Sequence, residues 1–154
     1  MHGRFVRGDG LILPNNVSLA GAEMILVGAF RLTPQALYAC LVSGAPSKSM
    51  TMAQMIEPTL GVGGYERIAI PQTIVGWPTI GTLSGEKYIE SDWLTFAADE
   101  VPFDQPIQRV ALVAGSAYAA DAPVFALSAA LPEAVTIDVD TPLDSRRFKY
   151  QFFL

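Results

Sequence analysis

The clearest periodic pattern in the chain lies near its N-terminus. Apolar residues recur there at Leu19, Ala22, Ile25, Leu26, Ala29 and Phe30. This spacing puts them on one face of a helix. Ser18 precedes them as an N-cap, because its hydroxyl can accept a hydrogen bond from a free amide of the first turn. Pro34 ends the pattern, so we predict one α-helix over Leu19–Arg31.

Beyond the helix the pattern changes to that of short strands. Apolar or alternating segments are separated by turns rich in Gly, Pro and Asp. The predicted strands are Ala36–Ser43, Tyr65–Ile70, Lys87–Ala97, Ile107–Ala114, Val124–Ala130, Val135–Val139 and Arg146–Phe153. Short strands at close spacing favour an antiparallel arrangement. We therefore expect a mainly β fold, an antiparallel β-sandwich or jelly-roll-like domain with one N-terminal α-helix and long loops.

Three stretches lack a strand pattern. Residues 1–17 are rich in Gly, Pro and Asn, and we predict an irregular N-terminal arm followed by a single β-rich domain over residues 18–154. Gly44–Gly64 and Pro71–Glu86 are predicted as long loops, with a helical turn within Met50–Ile56. Because loops of this length in a small domain usually have a function, we expect both to contact neighbouring chains.

Composition narrows the class of protein. The 154 residues suit one domain. Of these, 51% are hydrophobic and only 16% charged, against about 25% charged in ordinary soluble domains. This excludes a disordered chain and suggests that another protein covers part of the surface.

Charge and hydropathy argue against nucleic acid and membranes as partners. The net charge of −5 argues against general electrostatic binding of nucleic acid. The longest apolar runs, Met24–Phe30 and Ala36–Val42, are much shorter than the ~20 residues that span a bilayer. No signal-peptide pattern precedes them. We therefore expect a protein made in the cytoplasm, with neither nucleic acid nor membrane as its partner.

Residues for catalysis are scarce. The chain has one histidine, His2, and one cysteine, Cys40, so a histidine-based triad, a Cys/His zinc site and an internal disulfide are not expected. Gly61–Gly64 lacks the Lys-Ser/Thr pair of a phosphate-binding loop. Asp138, Asp140 and Asp144 lack the glycine and terminal glutamate of a calcium loop and are interpreted as a turn. Asp99, Glu100 and Asp104 could act as paired carboxylates in acid–base chemistry, but nothing in the sequence fixes their separation, and they are interpreted as a solvated loop. We predict no catalytic residue, cofactor or metal.

Several residues are candidates for contact with a partner. Trp77 lies between Gly76 and Pro78 in a long loop, where a large aromatic side chain docks either on its own domain or on a partner; we expect the partner. Arg146 and Arg147 lie in the densest basic cluster, which forms either a contact to an acidic protein or the solvated face of the last strand. The candidate partner-binding residues are Trp77, Tyr65, Met52, Met55, Arg146 and Arg147.

The order of several short motifs carries a resemblance. The motifs are Ala36–Pro46, Glu57-Pro58, Gly63–Arg67, Leu94–Phe96, Pro106-Ile107, Val124–Pro132 and Val135–Asp138. Together, over residues 18–154, they resemble a group of small β-rich virion proteins of tailed bacteriophages, described as tail-fibre-like, minor structural or head-decoration proteins. This chain departs from the group in its expanded Pro71–Glu86 stretch and its additional N-terminal arm.

The resemblance implies a non-enzymatic structural role in a virion. We expect a head decoration or cement protein that binds the major capsid protein or another virion protein and forms a homo-oligomer, as a trimer. A tail, neck or fibre component is the nearest alternative. A carbohydrate-binding module that stacks sugars on Trp77, Trp93 and Tyr65 is a second, and an enzyme that uses the acidic loops is a third.

Overall fold

The computed structural model describes residues 2–31, 36–44, 50–100 and 102–153. Within these ranges the chain forms one α-helix, α1 (Leu19–Arg31), and eleven strands. The strands are β1 (His2–Arg7), β2 (Ile12–Val17), β3 (Leu37–Gly44), β4 (Met55–Ile56), β5 (Ile68–Ile70), β6 (Thr79–Leu83), β7 (Glu86–Glu90), β8 (Leu94–Thr95), β9 (Arg109–Ala114), β10 (Val124–Ser128) and β11 (Arg147–Phe153).

All strands pair antiparallel in one sheet. Its main path runs β4-β3-β9-β10-β2-β1-β11-β7-β6, while β5 pairs with β3 and β8 pairs with β11. This confirms the predicted mainly β class with one helix, and it is consistent with the predicted β-sandwich.

The helix has the predicted bounds. Ser18 Oγ accepts a hydrogen bond from the Gly21 amide at 2.9 Å and itself donates to the Val124 carbonyl oxygen. The cap therefore also fixes the start of α1 against β10. Leu19, predicted on the apolar face, is instead 70% exposed. The predicted stop at Pro34 lies outside the described residues.

The prediction of an irregular arm over residues 1–17 was wrong. β1 and β2 form a hairpin that is inserted between β10 and β11, so both are inner strands of the sheet. Phe5 and Leu13 lie in the core. The turn between the strands is stabilised by Asp9, whose carboxylate accepts hydrogen bonds from the Arg7 side chain and the Leu11 amide. Pairing on both sides outweighs the weak strand propensity of this sequence.

The middle of the sheet is buried on both faces. On β3, Leu41 belongs to one core cluster and the adjacent Cys40 to another. On β9, Leu112 belongs to the same cluster as Leu41, and the adjacent Ala111 belongs to the cluster of Cys40. Strands covered on both faces have continuous apolar sequences, which explains why Ala36–Ser43 shows no alternation.

Three predicted strands differ clearly from those observed, and one of them, Tyr65–Ile70, is shortened to β5 (Ile68–Ile70). The single strand expected over Lys87–Ala97 is divided into β7 and β8, because Ser91 interrupts the ladder and its hydroxyl accepts a hydrogen bond from the Tyr150 amide at 2.9 Å. The strand expected over Val135–Val139 is reduced to an isolated bridge between Val135 and Ile107. A tight turn that follows, closed by the Thr141 amide on the Asp138 carbonyl, prevents further pairing.

The stretch predicted as a loop over Pro71–Glu86 contains β6, which forms a hairpin with β7. Ser84 (φ 53°) and Gly85 (φ 89°) make the turn between them. Both angles are positive, as in the type I′ turn that suits two-residue hairpins. In the other predicted loop, the expected helical turn is confirmed as a 3₁₀ turn at Met52–Gln54.

Candidate contact surface

Trp77 packs on its own domain. The side chain is partly buried against the main core, and its ring meets the Tyr150 ring edge-on at 6.3 Å between centroids. Its amide donates to the Thr73 carbonyl oxygen at 3.0 Å, and the Asp92 amide donates to the Gly76 carbonyl oxygen at 3.0 Å. Both groups of the peptide unit that joins Gly76 to Trp77 are therefore held by backbone hydrogen bonds. The indole Nε1 is buried without a hydrogen-bond partner among the described residues.

A cavity of about 400 Å³ lies beside Trp77, between α1, the sheet and the start of the loop. Its lining residues are Met24, Ile25, Gly28, Leu37, Gln72, Trp77, Ile89, Phe125, Tyr150 and Phe152. Among the polar groups of the lining are the Gln72 side-chain amide and the Tyr150 hydroxyl. The hydroxyl accepts a hydrogen bond from Asn15 Nδ2 at 3.0 Å. Since none of the described lining residues is charged, the cavity suits an apolar group better than a charged substrate.

Three of the predicted contact residues are interior. Tyr65 and Met52 are fully buried, and Met55 is 5% exposed. The two methionines belong to the cluster on one face of β3, beside Cys40. Their burial leaves no side-chain surface for a partner in this folded form. Cys40 is also fully buried, and burial raises the pKa of its thiol well above the ordinary value, so it stays a neutral packing residue.

Tyr65 belongs to a buried polar network that sequence analysis did not identify. The Tyr65 hydroxyl donates to Glu57 Oε1 at 2.7 Å and accepts from the Leu41 amide at 3.1 Å. Arg67 donates to both Glu57 oxygens, and its Nη1 donates to the carbonyl oxygens of Gly115 and Ala117. With these hydrogen bonds the network is a structural tether, and it is closed to a substrate by its burial.

Arg146 and Arg147 of the basic cluster make contacts within the chain itself. Arg146 Nη1 donates to the Phe96 carbonyl oxygen at 2.7 Å. Arg147 forms an ion pair with Asp144 at 2.5 Å, and its guanidinium lies 4.5 Å from the centre of the Trp93 ring. A cation over an aromatic ring is held by the ring quadrupole. The cluster is thus a network at the start of β11, and part of its surface is accessible.

The acidic loops form hydrogen bonds within the chain, one to a distant loop and one within a local turn. Asp104 accepts hydrogen bonds from the Thr59 hydroxyl at 2.5 Å and the Thr59 amide at 3.0 Å. Asp138 accepts from the Thr141 hydroxyl and the Asp140 amide. Among the described residues, no three His, Cys, Asp or Glu side chains come close enough together to hold a metal ion.

Apolar side chains are exposed along residues 74–83, here called the edge segment. They are Ile74 (79% exposed), Val75 (70%), Ile80 (76%) and Leu83 (41%). Ile80 on β6 is opposite Ile89 on β7, which is opposite Phe152 on β11. Directly opposed residues share a face of the sheet. The apolar face therefore continues from the buried core to an exposed edge, as at protein contact sites.

No protein family matches the sequence, and no curated protein does. None of the described helices is long and apolar enough to cross a membrane.

Proposed function

We propose that this protein is a structural component of a tailed-bacteriophage virion that decorates the head and strengthens the capsid lattice. The virion assignment follows from the resemblance in motif order, and the observation that supports an assembly role is the edge segment, which presents apolar side chains at the edge of a sheet whose centre is tightly packed. Only 16% of the residues are charged, so few charges oppose association of the protein through this segment. Burial against other virion proteins removes this surface from water.

The buried polar groups also support a structural role. Glu57, Tyr65 and Arg67 are used to tie loops to the sheet, through hydrogen bonds of 2.6–2.9 Å between side chains and to two backbone carbonyls. Such cross-links stiffen the loops of a domain. Stiff loops suit a protein that must hold neighbouring subunits in fixed positions.

The geometry disfavours a carbohydrate-binding module on the three aromatic residues considered. Tyr65 is fully buried and offers no face to a sugar. The Trp93 ring is contacted by the cations of Arg147 at 4.5 Å and Lys149 at 4.9 Å. Trp77 lines the cavity. The three rings therefore do not form one exposed stacking platform.

Immunoelectron microscopy tests the proposed position. Antibodies raised against the recombinant protein are applied to purified particles of the phage whose genome encodes this chain. Label distributed over the heads is the expected result. Label restricted to the tail, neck or fibres would support the alternative position in the virion, and unlabelled particles whose proteins lack this chain would contradict a virion role altogether.

A further inference from the structure

The strand β6 is an unprotected sheet edge. It is the final strand at its end of the main path, and no other described strand pairs with its outer side. Its five residues are Thr79, Ile80, Gly81, Thr82 and Leu83, without a charge or a proline. Natural sheets usually protect a free edge with charged side chains, proline or a bulge. The lack of these devices indicates that another strand covers this edge.

The hairpin turn determines which backbone groups face outward. In a two-residue hairpin the residues that flank the turn, here Leu83 and Glu86, form a hydrogen-bonded pair. Hydrogen-bonded and non-hydrogen-bonded pairs then alternate along the strand. Gly81 and Thr79 therefore bond toward β7, whereas the amides and carbonyls of Ile80 and Thr82 point to the free edge.

We propose that a second copy of this chain covers the edge, with β6 pairing antiparallel to β6 about a two-fold axis at Gly81. In this register Ile80 of one copy is opposite Thr82 of the other, so the outward backbone groups of each copy satisfy those of its partner. The two sheets become one continuous sheet. This interface uses β6 of the edge segment, so in a virion the second copy would be one of the proteins that bury this surface, and the dimer can also form without the virion.

The residues at the centre of β6 suit pairing with an identical strand. Gly81 is opposite itself in a non-hydrogen-bonded pair, where Cα atoms approach to about 4.5 Å. The Tyr88 ring lies against Gly81, so closely that a Cβ there would be 2.6 Å from a ring carbon. Ile80 of each copy lies diagonally from the other on one face, within reach of a large side chain. Because β6 is uncharged, the pairing brings no like charges directly opposite each other on the paired strands.

The geometry also predicts the size and strength of the assembly. An isologous contact closes as a dimer, which differs from the trimer expected from sequence analysis. Stable interfaces bury more than about 1,000 Å², whereas this interface rests on one pair of five-residue strands. We therefore expect a dimer that dissociates on dilution and is favoured where many copies are concentrated.

Sedimentation velocity tests the interface across protein concentrations from about 1 to about 200 μM. The native protein should shift from monomer to dimer. Ile80→Lys should remain monomeric over the range, because two cations then meet diagonally across the axis. The matched control is Ile56→Lys in β4 at the opposite end of the sheet, where the residue is also exposed; it should dimerise like the native protein. Thermal melts establish that both variants fold.

Cross-linking tests the register. Ile80→Cys and Thr82→Cys proteins are mixed and oxidised, and the mixture should give more covalent dimer than either variant alone, since opposed residues lie about 5.5 Å apart between Cα atoms. The buried Cys40 does not compete. A native protein that is monomeric throughout, association that survives Ile80→Lys, a trimer, or equal cross-linking in all three samples would overturn the proposal.

Discussion

Arg67 and Glu57 form a bidentate ion pair in which Arg67 Nε lies 2.8 Å from Glu57 Oε1 and Nη2 lies 2.6 Å from Oε2. Both side chains are almost completely buried, at 1% and 2% exposure. Although burial opposes the charge on Arg67, its hydrogen bonds to the Glu57 carboxylate raise the pKa of the guanidinium. The guanidinium therefore stays charged, and the pair holds residues 57–67 against the turn at Gly115.

Removing one partner of this pair should destabilise the fold strongly. Arg67→Ala leaves the buried Glu57 carboxylate without its counterion, which typically costs about 3–5 kcal/mol. The control is Arg7→Ala, which breaks the more exposed pair with Asp9 and should cost about 1 kcal/mol or less. Urea unfolding at neutral pH measures both values. Equal losses in the two variants would contradict the role given to the buried pair.

Asp104 should contribute to the loss of stability in acid. Hydrogen bonds from the Thr59 hydroxyl and amide hold the pKa of Asp104 below its ordinary value. As pH falls, the Asp104 carboxylate therefore takes up a proton in the unfolded chain before it does so in the folded chain. The contribution of Asp104 to the free energy of unfolding is fully present above the ordinary pKa and is lost as pH falls through the folded-state pKa. Because the carboxylate is exposed, we expect a contribution below about 1 kcal/mol.

Asp104→Asn should flatten this part of the pH profile. The free energy of unfolding is measured from neutral pH down to acid for the native protein, for Asp104→Asn and for Asp121→Asn, which changes another exposed carboxylate. The native protein and Asp121→Asn should share the steeper decline. An Asp104→Asn profile parallel to that of the native protein would show that the hydrogen bonds to Thr59 do not shift this titration.

Trp77 should contribute to the stability of its own domain. Trp77→Ala removes a partly buried ring that packs against Tyr150 and enlarges the adjoining cavity, and we expect a loss of about 2–3 kcal/mol, less than for a fully buried aromatic. Trp77→Phe retains an aromatic ring and removes the unpaired indole N–H, so it should cost less. Thermal and urea unfolding compare the variants. An unchanged melting temperature, with particle association weakened roughly tenfold, would instead support docking of Trp77 on a partner.

Local sequence patterns predicted the parts of the fold that depend on neighbouring residues. The helix Leu19–Arg31 has its predicted bounds, because apolar spacing and the Ser18 cap act within a few residues. The β1–β2 hairpin was missed because β2 contains Pro14 and two asparagines, and its stability comes from pairing with distant strands. Asp9-Gly10 between apolar segments was a turn signal that could have revealed it.

The contact surface was only partly predictable. The position of Trp77 between Gly76 and Pro78 identified it as a docking residue, but not the core on which it docks. The exposure of Ile80 followed from a strand order that no local pattern contains. The Ser84-Gly85 pair, a sequence typical of tight turns, was the available signal for the β6–β7 hairpin. Glu57 and Arg67 are ten positions apart, and their bidentate contact depends on the path of the intervening chain.

The most direct test of the proposed function is the copy number of this chain in purified virions of the phage that encodes it. Quantitative mass spectrometry with isotope-labelled peptides gives its molar ratio to the major capsid protein. A head decoration protein should be present in numbers comparable to those of the major capsid protein, as lattice symmetry requires. A copy number that matches tail or neck components would contradict the head position, and absence from the particles would contradict the virion role.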